Sequence, residues 1–206
     1  ELLERVKEIA KGAALMTQTK VKTKILAGVS NLLYNETLGN IMQGNLDQLG
    51  APEFSKEDHL YAKKYQDTLT RKDIESAYSH AGIDLVEGQV LAETVVAGDV
   101  KPVDMGGSTD VADVSWVVPT VSLWGANYAI GTPFHSWQMT AQGKSSIAIK
   151  GMTHAAMVMA ATGSDLILNK TILDDAWSEH NKTIEKEGYM LPISVSSSPP
   201  IKDMAP

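Results

Sequence analysis

Cysteine is absent from the 206-residue chain. Disulfides and thiolate metal sites are thereby excluded, and any bound metal has to use His, Asp or Glu. No apolar run is long enough to span a bilayer, and no signal-peptide pattern opens the sequence. Positive charge is also in short supply, with 18 Lys and Arg against 25 Asp and Glu, a net charge of −7. That balance argues against nucleic acid and anionic membranes as partners, and a cytoplasmic location is the default expectation. Catalytic signatures are missing as well: there is no His-x-Asp, Glu-Glu pair, His-Glu-x-x-His, Gly-x-Ser-x-Gly or phosphate-binding glycine loop. A self-sufficient active site cannot be assembled without such groups. The chain also lacks an initiator Met and opens inside a predicted helix, as expected of a piece of a longer polypeptide.

What is present is ordinary for a globular protein, with 43% hydrophobic and 21% charged residues. Leu2, Val6, Ile9, Ala13 and Met16 recur at three- and four-residue spacing and predict an amphipathic helix. From Thr19 to Ala27, Lys20, Lys22 and Lys24 alternate with Val21, Thr23 and Ile25, which predicts a strand with one cationic face. A lone strand leaves its backbone groups unpaired, so its sheet is expected upstream of residue 1 or in another chain. Asn35 is placed to cap a helix to about Leu49, stopped by Gly50 and Pro52. Ser55 to Asp58 resembles a capping box and starts a helix to about Leu69. A short helix over Asp73–Ala81 closes at Gly82.

Residues 83–113 show no firm period and predict irregular structure, with short extended pieces around Leu85–Val86 and Thr94–Val96. The β-branched, aromatic run Val114–Trp124 predicts a strand buried on both faces, made irregular by Pro119. Ser145–Thr162 is rich in small residues and Met, and predicts a helix buried all round that packs on a sheet and ends at Gly163. Asn169 caps a last helix to about Lys186, with Ile172, Ala176 and Trp177 inward. The tail from Leu191 is expected to be extended on the body or loose.

Between the second strand and the long helix lies Gly131-Thr-Pro-Phe-His-Ser-Trp-Gln138. A Gly-Thr-Pro turn delivers His135, and neutral imidazole is the commonest nitrogen ligand for zinc and similar ions. The plain alternative is a histidine that only hydrogen-bonds in a loop. His154, inside the small-residue helix, reads as a core group or one that supports a ligand. His59, His80 and His180 sit in charged surroundings and read as solvated, as do Glu179, Glu185 and Glu187. Gly106-Gly107-Ser108-Thr109-Asp110 lets the backbone come close to something, or is a surface turn. Asp110 and Asp113 beside it could orient a ligand histidine, or equally cap a helix. A catalytic zinc generally takes three protein ligands, and the residues themselves offer one.

Taken together, Gly107-Ser-Thr-Asp110, Val114-Ser-Trp116, Gly131–Gln138 and Lys150-Gly-Met-Thr-His-Ala-Ala156 resemble the C-terminal part of M20-type metallopeptidases and amidohydrolases. The branch they resemble is the aminobenzoyl-glutamate hydrolase type, near the indole-acetyl-amino-acid and hippurate hydrolases. The resemblance implies an α/β fold: the C-terminal part of a zinc-peptidase-like catalytic domain, a mixed sheet flanked by helices. Residues 1–28 resemble the end of a ferredoxin-like lid or dimerisation domain, and 29–206 the return into the catalytic domain. It further implies hydrolysis of N-acyl amino acids with two zinc or manganese ions, and a homo- or hetero-dimer. His135 matches the last metal ligand of that family. The base Glu and the other ligands belong to a first half that this sequence does not contain, so the isolated chain is expected to bind metal poorly and to be inactive. Ser108, Asp110, Asp113 and His154 are the further candidates for substrate binding or for orienting a ligand. A non-catalytic module that keeps the scaffold without its chemistry remains the alternative.

Overall fold

The computed structural model describes residues 1–99, 107–193 and 201. Gly106 of the glycine-rich turn, and most of the tail from Leu191, lie outside the described residues. The chain divides into two compact units, one formed by Asn31–Gly188 and the other by Glu1–Ser30 with the chain after Gly188.

In the smaller unit, helix α1 spans Leu2–Met16, as its three- and four-residue apolar spacing predicts. None of its residues is buried, and Leu2, Ile9 and Met16 stand open to solvent. After it, residues 19–31 form no regular element. The Lys-alternating run is therefore not a strand. Alternation specifies which side chains share a face, but a strand exists only when a neighbour accepts its backbone bonds.

The larger unit carries α2 (Glu36–Leu49), α3 (Lys56–Gln66), α4 (Arg71–Ala81), α5 (Val111–Ser115), α6 (Trp137–Gln142), α7 (Ser146–Leu168) and α8 (Lys170–Glu187). No strand occurs among the described residues. The expected α/β fold with a mixed sheet is thus overturned: the described chain is helical. Val114–Trp124, expected to be a buried strand, instead begins inside α5, and Val114 O accepts from both Val117 N and Val118 N, closing a turn. Val117 is 57% exposed, so the β-branched run is neither extended nor buried where it was expected to be. No extended pieces form at Leu85–Val86 or Thr94–Val96.

The helix ends follow from local chemistry. Ser55 Oγ accepts from Asp58 N at 3.2 Å while Asp58 Oδ2 accepts from Ser55 N at 2.9 Å, the reciprocal capping box that the sequence predicts. Thr70 and Asp73 form a second box at the start of α4, and Gly82 ends that helix in the left-handed conformation at φ 68°. Asn35, 3% exposed, accepts from Leu38 N at 3.0 Å and donates to Ala176 O at 3.0 Å, so one residue caps α2 and ties it to α8. Glu179 of α8 completes the cap, accepting from Glu36 N at 2.6 Å and Thr37 N at 2.9 Å. Glu179 is therefore a tether rather than the solvated residue its sequence context suggests. Burial pushes its carboxyl up, but the N–H groups and hydroxyl at the start of α2 outweigh that and hold it below its usual value.

Helices α2, α7 and α8 pack on one another. His180, expected to be solvated, is buried and meets Trp177 edge-on, with ring centroids 5.5 Å apart. Beside this bundle, Ala62, Val90, Leu91, Ala129 and Ile147 form a buried cluster covered by Phe54, Tyr61 and Tyr65. Burying Leu91 and Ile147 contributes on the order of 2 kcal/mol each. Helix α7 runs five residues past Gly163 and is not buried all round, since Met152, Met157 and Met159 are each at least half exposed. Its inward face is narrow and close. A Cβ on Gly151 would lie 2.5 Å from Asn127 Cβ and against Ala126 O, so only glycine lets α7 meet segment 126–127.

Candidate functional site

The turn that carries His135 is built from its own backbone and one buried amide. Gly131 has φ 91°, and a Cβ there would lie 3.0 Å from Ile74 Cα, so glycine is required twice over. Ile130 N donates to Val90 O at 2.9 Å, a single backbone bond that fastens the turn to the core without a ladder. Thr132 donates through both N and Oγ1 to Ala129 O, at 3.1 and 2.7 Å. Gln142 then locks the arrangement. Its Oε1 accepts from Ala129 N at 2.8 Å, and its Nε2 donates to Thr132 Oγ1 at 3.0 Å and to Gln138 O at 3.1 Å. Gln142 is 1% exposed, so these bonds form away from water, where leaving one unmade is costly.

On the far side, Ser136 caps α6 by accepting from Met139 N at 3.2 Å and donates to Pro133 O at 2.7 Å. His135 sits between these two fixed points with φ 58°, a left-handed conformation unusual for a non-glycine residue. It is exposed, and its ring makes no hydrogen bond or ion pair among the described residues. Phe134 beside it packs on Trp124 and Tyr128, with centroids 5.6 and 6.0 Å apart. The turn therefore holds the backbone firmly and leaves the imidazole with both nitrogens available. That is what a metal ligand needs, and a merely structural histidine usually has a partner.

The other residues singled out in the sequence are placed less tellingly. Ser108 is exposed, ahead of α5. Asp110 occupies the N-cap position of α5 without a side-chain cap bond, and Asp113 lies in its first turn, half-buried. His154 is half-buried, and its Nε2 lies 2.6 Å from Gly50 O. A carbonyl only accepts, so Nε2 carries the proton and Nδ1 is the one nitrogen left to His154. Among the described residues, no group of three or more His, Asp or Glu side chains comes together in a way that could hold a metal ion.

Sequence reasoning missed the partners that steady this region. Lys150, within the resemblance segment Lys150–Ala156, pairs with Asp58 Oδ2 at 2.7 Å, and Asp58 is 4% exposed. Burial drives the Asp58 carboxyl up. Lys150, Ser55 N–H and Ser146 more than offset it and hold it at about 2. A signal was available, because Lys150 is the one charged side chain between Lys144 and Asp165. A lone lysine on an otherwise uncharged helix calls for a carboxylate from elsewhere. His59, read as solvated, is half-buried and places Nδ1 2.8 Å from Ser55 O and Nε2 3.0 Å from Glu93 Oε1. Those two acceptors, the carbonyl first, raise its pKa. Gln142 carried no signal beyond its helical spacing from Gln138.

Comparison with known proteins bears on what this turn serves. Over 212 aligned residues the chain is 39% identical to a subunit of the p-aminobenzoyl-glutamate hydrolase of Escherichia coli (strain K12). The chain is a relative of that hydrolase. The match takes in 98% of this chain and 44% of the Escherichia coli protein, so the chain spans less than half the length of the relative. By its name that relative is one component of a hydrolase built from more than one kind of chain. No family model and no solved structure matches the chain. No helix among the described residues is long and apolar enough to cross a membrane.

Proposed function

We propose that this chain is the C-terminal part of a metal-dependent, M20-type amide hydrolase acting on N-acyl amino acids of the aminobenzoyl-glutamate kind. His135 supplies one metal ligand. One observation carries the reading: in this relative of a hydrolase component, a turn locked by buried Gln142 presents an exposed imidazole with no partner of its own among the described residues.

The described residues do not by themselves hold an ion. They offer one convergent nitrogen, where a catalytic zinc takes about three protein ligands. On this reading the remaining ligands and the general base belong to a longer polypeptide or to a partner chain, and hydrolysis is a property of that assembly. Zinc or manganese, in a pair, is the metal that the motif resemblance supports. Ser108, Asp110 and Asp113 lie on or before α5 and are proposed to face the substrate or to orient ligands. His154 can contribute there only through Nδ1.

Calorimetry with zinc tests the division of labour. The 206-residue chain alone is expected to show no tight one-to-one binding, since one imidazole cannot hold the ion against water and buffer. Tight stoichiometric binding by this chain would show that it contains a complete site and would overturn the reading.

A further inference from the structure

A second site lies on the other flank of α6. Trp137, 62% exposed, faces Tyr65 of α3 with ring centroids 6.1 Å apart, and Tyr65 meets Tyr61 at 5.0 Å. With Lys64 and Thr68 these three rings line a cavity of about 310 Å³. That is the lower end of the size of small-molecule pockets, about 300–1,000 Å³. An indole left this open to water next to two phenol rings is an incomplete aromatic stack, and a further flat ring would fill it.

The polar groups at the cavity fix the charge of what would enter. Lys63 is paired with Asp67, whereas Lys64 makes no ion pair or hydrogen bond among the described residues. Tyr61 O–H donates to Tyr65 Oη at 3.2 Å, so the Tyr65 hydroxyl accepts there and its own proton is not taken by a described acceptor. Thr68 is committed, donating to Tyr65 O at 2.7 Å and lying 3.5 Å from Gln138 Nε2, and so helps hold α6 against α3. A free ammonium and a free phenol proton, set beside exposed rings in a chain of net charge −7, match a flat ring bearing one carboxylate.

We infer that Tyr61, Tyr65, Trp137 and Lys64 form a binding site for a small aromatic monocarboxylate. The ring stacks on Trp137 and Tyr65, and the carboxylate meets the Lys64 ammonium and the Tyr65 hydroxyl. This inference stands on the rings and the ammonium and does not require His135 to bind a metal. It also has a natural connection with amide cleavage of aminobenzoyl-glutamate, which releases an aromatic monocarboxylate as one of its two products.

The test is a metal-free titration of the 206-residue chain with 4-aminobenzoate, followed by calorimetry and by the indole N–H resonances. The expected result is saturable binding near a Kd of about 1 mM, the strength of a few contacts, with the Trp137 indole signal moving most. Trp137→Leu and Lys64→Gln each weaken binding about tenfold, which corresponds to about 1.4 kcal/mol. Both side chains are exposed, so both variants are expected to keep the wild-type melting temperature. 4-Aminobenzamide, without the charge, and cyclohexanecarboxylate, without the π face, bind more weakly than 4-aminobenzoate. His135→Ala leaves the titration unchanged, which separates this site from the metal reading. Absence of saturation, equal binding of the uncharged amide, or unaltered affinity in both folded variants would overturn the inference.

Discussion

Gln142 and Thr132 are joined by a 3.0 Å hydrogen bond from Nε2 to Oγ1, made by a residue only 1% exposed. With the second bond from Ala129 N to Gln142 Oε1, it fixes both the start and the middle of the turn that presents His135. Replacing Gln142 by Leu keeps an apolar side chain in the space but leaves Ala129 N without its acceptor. An unsatisfied buried amide costs about 1–3 kcal/mol, lowering the melting temperature by roughly 2–4 °C per kcal/mol in a chain this size. Hydrogen exchange should localise the damage, with Ala129 N losing protection while the α8 amides keep theirs. Unchanged exchange at Ala129 would mean the turn does not depend on this glutamine.

The glycine in the same turn makes a separate prediction. Gly131→Ala places a Cβ 3.0 Å from Ile74 Cα at φ 91°, so backbone strain and crowding act together. A loss of about 2 kcal/mol is expected. Gly163→Ala is the control. Gly163 lies inside α7 with nothing within 4 Å of the added Cβ, so alanine should stabilise by about 0.5–1 kcal/mol. Urea midpoints of the two variants should therefore move in opposite directions.

The Lys150–Asp58 pair predicts an acid-sensitive component of stability. The Asp58 carboxyl is held at about 2 in the folded chain, below the value of about 3.9 expected of an unfolded one. Between those values the unfolded chain binds the proton more readily, so the contribution is complete at neutral pH, falls below about pH 4 and is gone below about pH 2. Asp58→Asn removes that component and leaves Lys150 unpaired beside a buried amide, at a cost on the order of 2 kcal/mol at pH 7. Urea midpoints at pH 7, 4 and 3 check this, and the gap between wild type and variant should narrow with acid. A gap that stays constant would remove Asp58 from the account.

How far the sequence could be read depended on whether the deciding interaction was local. The caps at Asn35, Ser55 and Asn169 act within three residues, and the helices they start form as predicted. The strands failed because strand formation depends on a distant partner. Thr19–Ala27 and Val114–Trp124 have strand-like composition, but no described segment pairs with either. The apolar, small-residue pattern of Ser145–Thr162 located α7, yet could not show that Met152 and Met159 would face outward. At the candidate site, His135 was legible through its Gly-Thr-Pro setting. Gln142, Glu179 and Asp58 were not, because each acts on a segment brought near only by folding.

The most direct measurement concerns His135 in the longest natural polypeptide that carries this sequence, assayed for bound metal and for cleavage of p-aminobenzoyl-glutamate. His135→Ala should lower bound metal and reduce turnover by about 100-fold or more, of the order expected when a catalytic metal loses a ligand. Unchanged metal content and unchanged turnover in a folded variant would contradict the assignment of His135 as a ligand.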